Sequence, residues 1–484
     1  MTEPIKAISN PKLRLEILSE TDLEKIHQAT LQIIERTGVR FPSKWALDLW
    51  REHGADVDEN TQIVKVKGEI IEAAIKLGKP IYPLAARDPE LDLSLDDNHV
   101  YLGTDGCGVQ VQDLYNGELR PSTLKDVEQI ATVADYLPEI AFHWVPVSAQ
   151  DRPPETRGLH EIKAVWGAST KHVQTESIYS LEEAKAAVEM ATILAGSSSA
   201  LRERPLLSIM QCTAPPLGQD GGSLDAALVA AEAGLPVGFM TMTSSLTTAP
   251  ATLAGNLAVG NAEVISAAAL IQLTYPGSPF FYAAAQTASD LRTGGYTGGG
   301  PEDFLFGAAT NSLANYYNMP LSMGSFATGA KEPNWQAGIE NSLSTFMASI
   351  SMSDMLLGAG LLHGSRIFSY EQLLLDCEIY DIIYQMMKGI EVNEETLALD
   401  TIHAVGPGGN YLAQKHTLNH MRELWQPKFF DRRSYEEWTK KQDDGRDWAR
   451  EKARQILETH TVGTPLDPKI VSEFERIISA LEKK

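Results

Sequence analysis

Cysteine is scarce in this chain. There are three in 484 residues (Cys107, Cys212 and Cys377), far apart and with no CxxC pair. A disulfide framework is thereby excluded as the organising device, and a reducing compartment is the default. Positive charge is also short. Lys and Arg number 41 against 64 Asp and Glu, the formal net charge is −23, and no long basic run occurs. Surfaces that bind nucleic acid or anionic membranes need clustered basic residues, so neither is an expected partner. Long apolar runs are missing too: the most apolar stretches are interrupted by Gly, Pro or polar residues before they reach spanning length. The opening MTEPIKAISNPKLRLEIL lacks an apolar core of the signal-peptide kind. These absences predict a cytoplasmic globular protein.

What is present is ordinary in amount, with 43% hydrophobic and 22% charged residues, and informative in order. Residues 1–95 read as a mainly helical segment. Thr21 and Glu24 have capping-box spacing ahead of LEKIHQATLQIIERTG, and Gly38 is placed to stop that helix. A second helix is predicted from Lys44 to about His53. From 96 to 393 the pattern changes to short β-rich runs alternating with helical ones. Strands are predicted at HVYLGTD, IAFHWVPVS, KHVQTES, PLLSIMQCT, PVGFMTMTS, PFFYAAAQT, MPLSMGSFA and DMLLGAGLLH. Ser180 and Glu183 could box the helix after the third strand. Eight such units about 30 residues apart predict an α/β fold, a (β/α)8 TIM barrel, with an open doubly wound sheet as the alternative. Residues 394–484 read as a polar helical extension carrying Trp425 and Trp438. It is predicted to pack on the barrel or on a neighbouring subunit, which makes a homo-oligomer the expectation.

Barrel enzymes carry their sites at the carboxyl ends of the strands. That rule gives Thr104 and Asp105, Trp144 and Ser148, Gln174 and Glu176, Gln211 and Thr213, Thr241 and Thr243. It continues with Tyr282 and Gln286, Phe326 and Ala327, and His363. The set is rich in amides, hydroxyls and aromatics and poor in paired carboxylates. Cys107, Cys212 and His363 end strands and could in principle meet around zinc, but buried barrel cysteines more often serve as small apolar residues. No HExxH motif occurs. The Gly-rich stretch Arg292–Asp303 lacks the GKS/T ending of a phosphate loop and reads equally as a lid over the mouth or as a surface loop. Lys331 is placed for a Schiff base or, more commonly, an ion pair.

Six stretches carry a family resemblance in the right order: GVQVQDLYNGELRPST, TAPATLAGNLAVGNAEVISAAALIQLTYPGSP, AKEPNWQAGIENS, SYEQLLLDCEI, VNEETLALDTIHAVGPGGNYL and HTLNHMRELWQPKFFDRRSYEEW. Together they resemble the trimethylamine methyltransferase family across almost the whole chain. The resemblance implies a barrel enzyme that moves a methyl group from an amine nitrogen to the cobalt of a corrinoid (cobalamin) held by a separate small protein. No metal bound by this chain itself is implied. The family's trimethylamine enzymes carry pyrrolysine after the seventh strand. Aligning Lys331 and Gln336 puts Ala327 at that position, so this chain resembles the non-pyrrolysine members.

A quaternary ammonium needs no activation, because it leaves as a neutral tertiary amine. The expected reaction is methyl transfer from glycine betaine to Co(I), giving dimethylglycine. Proline betaine, carnitine and γ-butyrobetaine are alternative substrates, and a non-catalytic betaine-binding barrel is the alternative from another class. Quaternary ammonium groups sit over aromatic faces, which nominates Phe326, Trp144, Tyr282, Trp335 and Phe368 for a cage. His363, Arg366 and Gln286 are nominated for the betaine carboxylate, and Glu176 and Asp105 for negative charge beside the cation.

Overall fold

Eight segments of four to six residues, buried along nearly their whole length, pair in parallel and close on themselves. They are β1 (His99–Thr104), β2 (Ile140–Trp144), β3 (His172–Thr175), β4 (Leu207–Cys212), β5 (Val237–Thr241), β6 (Phe280–Ala284), β7 (Leu321–Gly324) and β8 (Met355–Ala359). Every neighbour in this order is hydrogen-bonded. The ring is completed by β8 against β1, with Met355 opposite Tyr101 and Leu356 opposite Leu102. The computed structural model describes residues 3–96, 98–295 and 297–483. All eight predicted strands are present, and the closed ring decides for the barrel over the open sheet.

A helix follows each strand: α1 (Leu124–Tyr136), α2 (Arg157–Ala168), α3 (Leu181–Ala195), α4 (Gly221–Ala233), α5 (Leu253–Thr274), α6 (Pro301–Tyr316), α7 (Trp335–Ile350) and α8 (Tyr370–Met387). These helices bury the outer face of the strands and the barrel's own interior side chains bury the inner face, which is why the strands read as continuous apolar runs rather than alternating ones. α5 departs from the reading of interrupted apolar runs. Its 22 residues are long and apolar enough to cross a membrane, yet 83% of its most apolar window is buried inside the fold. Buried Asn256, Asn261 and Glu263 tie it to the barrel wall.

The barrel interior is filled by a separate cluster that includes Tyr101, Phe142, Trp144, Met210, Met240, Phe281, Met355 and Leu357. Glycines make room for its rings. A Cβ on Gly103 would stand 2.5 Å from Phe142, and one on Gly238 would stand 2.0 Å from Phe281. A hairpin, Tyr82–Leu84 with Leu93–Leu95, adds four side chains to the cluster and plugs the amino end of the barrel. Removing such a core ring, as in Phe281→Ala, costs about 3–5 kcal/mol.

The N-terminal segment departs from the sequence reading in two ways. Its first helix starts at Glu20 and is boxed by Ser19 and Asp22 rather than by Thr21 and Glu24. The segment is also not purely helical: Val39–Arg40, Asp56–Asp58 and Ile63–Lys65 form a small antiparallel sheet, in addition to the barrel-plugging hairpin. At the other end, α9 (Gly445–Thr459) packs on α8 and α1, and α10 (Pro468–Glu482) packs on α3.

Candidate active site

Side chains on a strand alternate between faces, so each strand sends only every second residue into the barrel. The inward series runs through Phe142 and Trp144 on β2, Met210 and Cys212 on β4, and Phe281 and Ala283 on β6 with Ala285 just past its end. The top of that series forms the floor of the mouth. Trp144 is the widest floor tile, 2% exposed, with its ring over Gly106, where a Cβ would be only 2.1 Å away. Its Nε1 has no hydrogen-bond partner among the described residues. Cys107, Cys212 and Ala285 stand partly exposed on the same cluster.

Glu176, just past β3, faces this floor. Its Oε2 accepts from the Cys212 thiol at 3.9 Å, and Cys107 is its second thiol neighbour. Burial, and after it the Asp105 carboxylate, pushes the Glu176 carboxyl up to about 8. Burial and the same carboxylates also push both thiols up, so neither is a poised thiolate.

Asp105 is raised by burial, against the hydrogen bonds it accepts from Ser365 Oγ (2.6 Å) and from the Gly106 and Cys107 amides (2.6 and 3.3 Å). Tyr179, 55% exposed, lies within electrostatic reach of Glu176. Behind this wall, burial pushes Glu161 up to about 7 and Glu183 up to about 8. Glu183 spends its carboxylate on the Tyr179 and Gly158 amides (3.1 and 3.2 Å), so it shapes the loop that carries Tyr179. Among the described residues no Lys, Arg or His pairs with Glu176 or Asp105. This end of the barrel therefore gathers two carboxylates, the Trp144 indole and the Tyr179 phenol.

The structure brings Trp144, Glu176 and Asp105 together at this floor. It places four other nominated residues elsewhere, because they face the opposite side of the wall. Tyr282 is fully buried among the outer helices and donates to Asn261 Oδ1 at 3.3 Å. Gln286 Nε2 donates to Asn256 Oδ1 at 2.9 Å, and its Oε1 accepts from Thr310 at 3.1 Å. Phe326 is fully buried in the core between wall and helices, against Gly358. Phe368 packs edge-on to Tyr370 in that core, 5.1 Å between ring centres. Gln211, Thr213 and Thr241 likewise point outward, the last two donating to Glu263. Trp335 opens α7 on the outside, 80% exposed.

His363 and Arg366 sit on a turn at the edge of the mouth. His363, Gly364 and Ser365 all have positive φ (55°, 61° and 62°), a run that costs energy for the two non-glycine residues. The turn is held by His363 N to Ala330 O (2.7 Å), Gly364 N to Thr328 O (2.9 Å) and the Ser365–Asp105 hydrogen bond. It thus joins the β7 loop to the β1 end.

Ala327 lines a narrow slot of about 10 Å³ with Gln286, Asp303, Ser325 and Ser344. The Gly-rich loop closes that side: a Cβ on Gly299 would strike Glu340, and the Thr297 carbonyl lies against Gly329. Tyr296 of this loop lies outside the described residues. Lys331 donates to the Gly329 carbonyl at 2.6 Å and is not aimed at the floor. Cys107 and Cys212 do meet across Glu176, but His363 does not join them in a metal-holding group among the described residues. Sequence reasoning had weighed these cysteines only for zinc or packing, and it overlooked Tyr179. The signal for Cys212 was its inward register at the end of β4, in line with Trp144 at the end of β2; Cys107, in the loop past β1, and Tyr179 carried none.

The family "Trimethylamine methyltransferase (MTTB)" matches residues 1–483. "Trimethylamine methyltransferase MttB" of Desulfitobacterium hafniense (strain DSM 10664 / DCB-2) is 34% identical over 465 residues, covering 96% of this chain and 93% of that protein. "Glycine betaine methyltransferase" of Desulfitobacterium hafniense (strain Y51) is 32% identical over 475 residues, covering 97% and 98%. Among solved structures, the Methanosarcina barkeri monomethylamine methyltransferase MtmB aligns over 93% of this chain and 95% of its own, at 12% identity and a TM-score of 0.49.

Proposed function

Because this chain belongs to the trimethylamine methyltransferase family and is a methyltransferase, we propose that it transfers a methyl group from a quaternary ammonium compound, glycine betaine first, to the Co(I) of a corrinoid. The corrinoid is the methyl acceptor and is carried by a separate cognate protein. The observation that carries the reading is the mouth itself: Glu176 and Asp105 beside Trp144, with no Lys, Arg or His paired to them among the described residues.

In this reading the trimethylammonium group lies over Trp144, where the indole face attracts a cation that has no N–H to donate. Glu176 gives up its proton to solvent as the cation enters, and its carboxylate balances the charge. His363 and Arg366, on the turn locked to Asp105, are assigned to the betaine carboxylate, so a zwitterion spans the mouth from β3 to the β8 turn. The cation is held with one methyl toward the open end. The C–N bond breaks with its electron pair staying on nitrogen, and cobalt supplies the pair for the new Co–C bond. The products are dimethylglycine and methyl-Co(III).

The leaving group is neutral, so the site needs no general acid. That agrees with an alanine at 327. The protein supplies position and exclusion of water. Three free thiols fit a cytoplasmic enzyme.

The test is anaerobic ultraviolet–visible spectroscopy of cob(I)alamin with this protein and a panel of methylated amines. Conversion to methylcobalamin with glycine betaine supports the full reading. Conversion only with proline betaine, carnitine or γ-butyrobetaine keeps the chemistry and changes the substrate. No conversion with any quaternary amine, with a cognate corrinoid protein present, refutes it.

A further inference from the structure

A cavity of about 420 Å³ lies beside the amino end of the barrel, where Glu139 immediately precedes β2. The end of α1, the middle of α8, α9 and the loop at Lys428 and Phe429 meet around it. Buried Leu137, Leu374 and Phe429 give it apolar walls, and the Cys377 thiol borders it. Small-molecule sites have volumes of this order. The mouth is at the other end of the strands, so this space is separate from it.

Two carboxylates in the wall are buried and only half used. Glu139 is 0% exposed and Glu378 is 1% exposed. Lys6 and Lys428 both donate to Glu139 Oε1, at 2.8 and 2.7 Å. Glu378 Oε1 accepts from the Lys428 and Phe429 amides at 2.8 and 3.1 Å. In each carboxylate Oε2 has no hydrogen-bond partner among the described residues. A buried oxygen left without a donor is costly. Lys428 holds one carboxylate with its ammonium and the other with its amide, so the two border one space.

The basic groups of the wall are already engaged. Lys428 is spent on Glu139. Lys452 Nζ donates to the Tyr136 hydroxyl at 3.0 Å and to Gln455 at 3.2 Å, and His460 Nε2 meets Asp135 at 2.8 Å. Glu378 is held by amides alone.

We infer that this cavity is a small-molecule site for an organic cation bearing N–H groups, a primary ammonium or a guanidinium on an apolar body. The free atoms are acceptors, so the ligand must donate. They belong to carboxylates, one of which has no cation of its own, so a charged donor gains more than a neutral one. The remaining wall is apolar, so the body of the ligand is hydrocarbon. A quaternary ammonium has no N–H and fails the first condition. The mouth and this cavity therefore select different amines.

The test is isothermal titration calorimetry of the full chain at pH 7 with phenethylamine, which is charged at that pH, against phenethyl alcohol and phenethyltrimethylammonium. Phenethylamine is expected to bind saturably. The alcohol lacks the charge and the trimethyl compound lacks the N–H, so each is expected to bind here about tenfold or more weakly. Glu378→Gln keeps an acceptor for the two amides and replaces the free oxygen by an NH2 group. It should weaken phenethylamine by the same factor with circular dichroism unchanged. Hydrogen exchange of the wild type locates the site without any variant: phenethylamine should slow amides at 374–378 and 428–429 and leave those at 176–179 unchanged. The readout is binding, so it does not depend on methyl transfer at the mouth. No saturable binding of phenethylamine or phenethylguanidine overturns the inference and leaves the two oxygens to water. Equal binding of phenethyl alcohol, protection at the mouth alone, or wild-type affinity in folded Glu378→Gln overturns it as well.

Discussion

Replacing Glu176 by Gln tests the site at its most specific point. The carboxyl titrates at about 8 in the empty mouth, so at pH 7 roughly one molecule in ten carries the charge. Ionising the rest costs the incoming cation about 1.4 kcal/mol, one unit of pKa. A quaternary nitrogen about 5 Å from the carboxylate gains about 3 kcal/mol at an effective dielectric of about 20. The net gain at pH 7 is about 2 kcal/mol, and it rises to about 3 kcal/mol at pH 9. The wild-type KM for glycine betaine is therefore expected to fall about tenfold from pH 7 to pH 9, with unit slope below 8. Glu176→Gln is expected to raise KM about 30-fold at pH 7 and on the order of 200-fold at pH 9, and to abolish the pH dependence.

The turnover number should move little. Positive charge leaves nitrogen as the C–N bond breaks, so the carboxylate favours bound substrate at least as much as the transition state. The assay is initial-rate methylation of cob(I)alamin across pH, with circular dichroism to establish that the variant is folded. A wild-type KM flat across pH 7–9, or a Gln variant with wild-type KM, refutes the reasoning.

Trp144→Leu is expected to raise KM about 3–30-fold through loss of the cation–π contact, and Trp144→Phe to raise it less; equal effects would indicate packing alone. Trp335→Ala should leave KM for the amine unchanged, and a rise would bring α7's outer end into the site. Gln286→Leu strands Asn256 and Thr310 in the wall and should cost about 1–3 kcal/mol in denaturant unfolding with KM within twofold; a selective rise in KM would return Gln286 to the mouth. Burial pushes Glu161, Glu263 and Asp376 up to about 7 and Glu183 up to about 8, so the folded state holds protons that the unfolded chain has lost. That stabilisation is complete below the ordinary carboxylate range and disappears as pH rises through 7–8. Scanning fluorimetry of the substrate-free protein should show Tm falling by several degrees from pH 5 to pH 9; a flat or rising profile contradicts the burial of these groups.

Local chemistry was enough for the outline. Period and punctuation place all eight strands, because each is a short apolar run closed by Gly, Pro or polar residues, and the helices between them begin at caps such as Ser180. The same local signals placed the first helix's capping box at Thr21 and Glu24. Ser19 and Asp22 offer equivalent groups two residues earlier, and packing chose between them. Aromatic type and position past a strand nominated five residues for a cation cage, and type does not say which face of the wall each one takes. In a barrel covered on both sides the wall is apolar on both faces, so Tyr282 and Trp144 look alike in one dimension although one faces Asn261 and the other the mouth.

What the sequence by itself determined is the architecture, the alanine at 327, and the presence of carboxylates and aromatics at strand ends, because these depend on residue type and spacing along the chain. Only the tertiary structure decided which of them share a space. Closing the ring sets each strand's register, which sends Trp144 and Cys212 inward and Tyr282 to the helices, and the loops that follow the strands bring Cys107 and Glu176 to the mouth and Gln286 and Phe326 to the wall's outer side. Burial beside Asp105 then gives Glu176 a proton affinity that no isolated glutamate has.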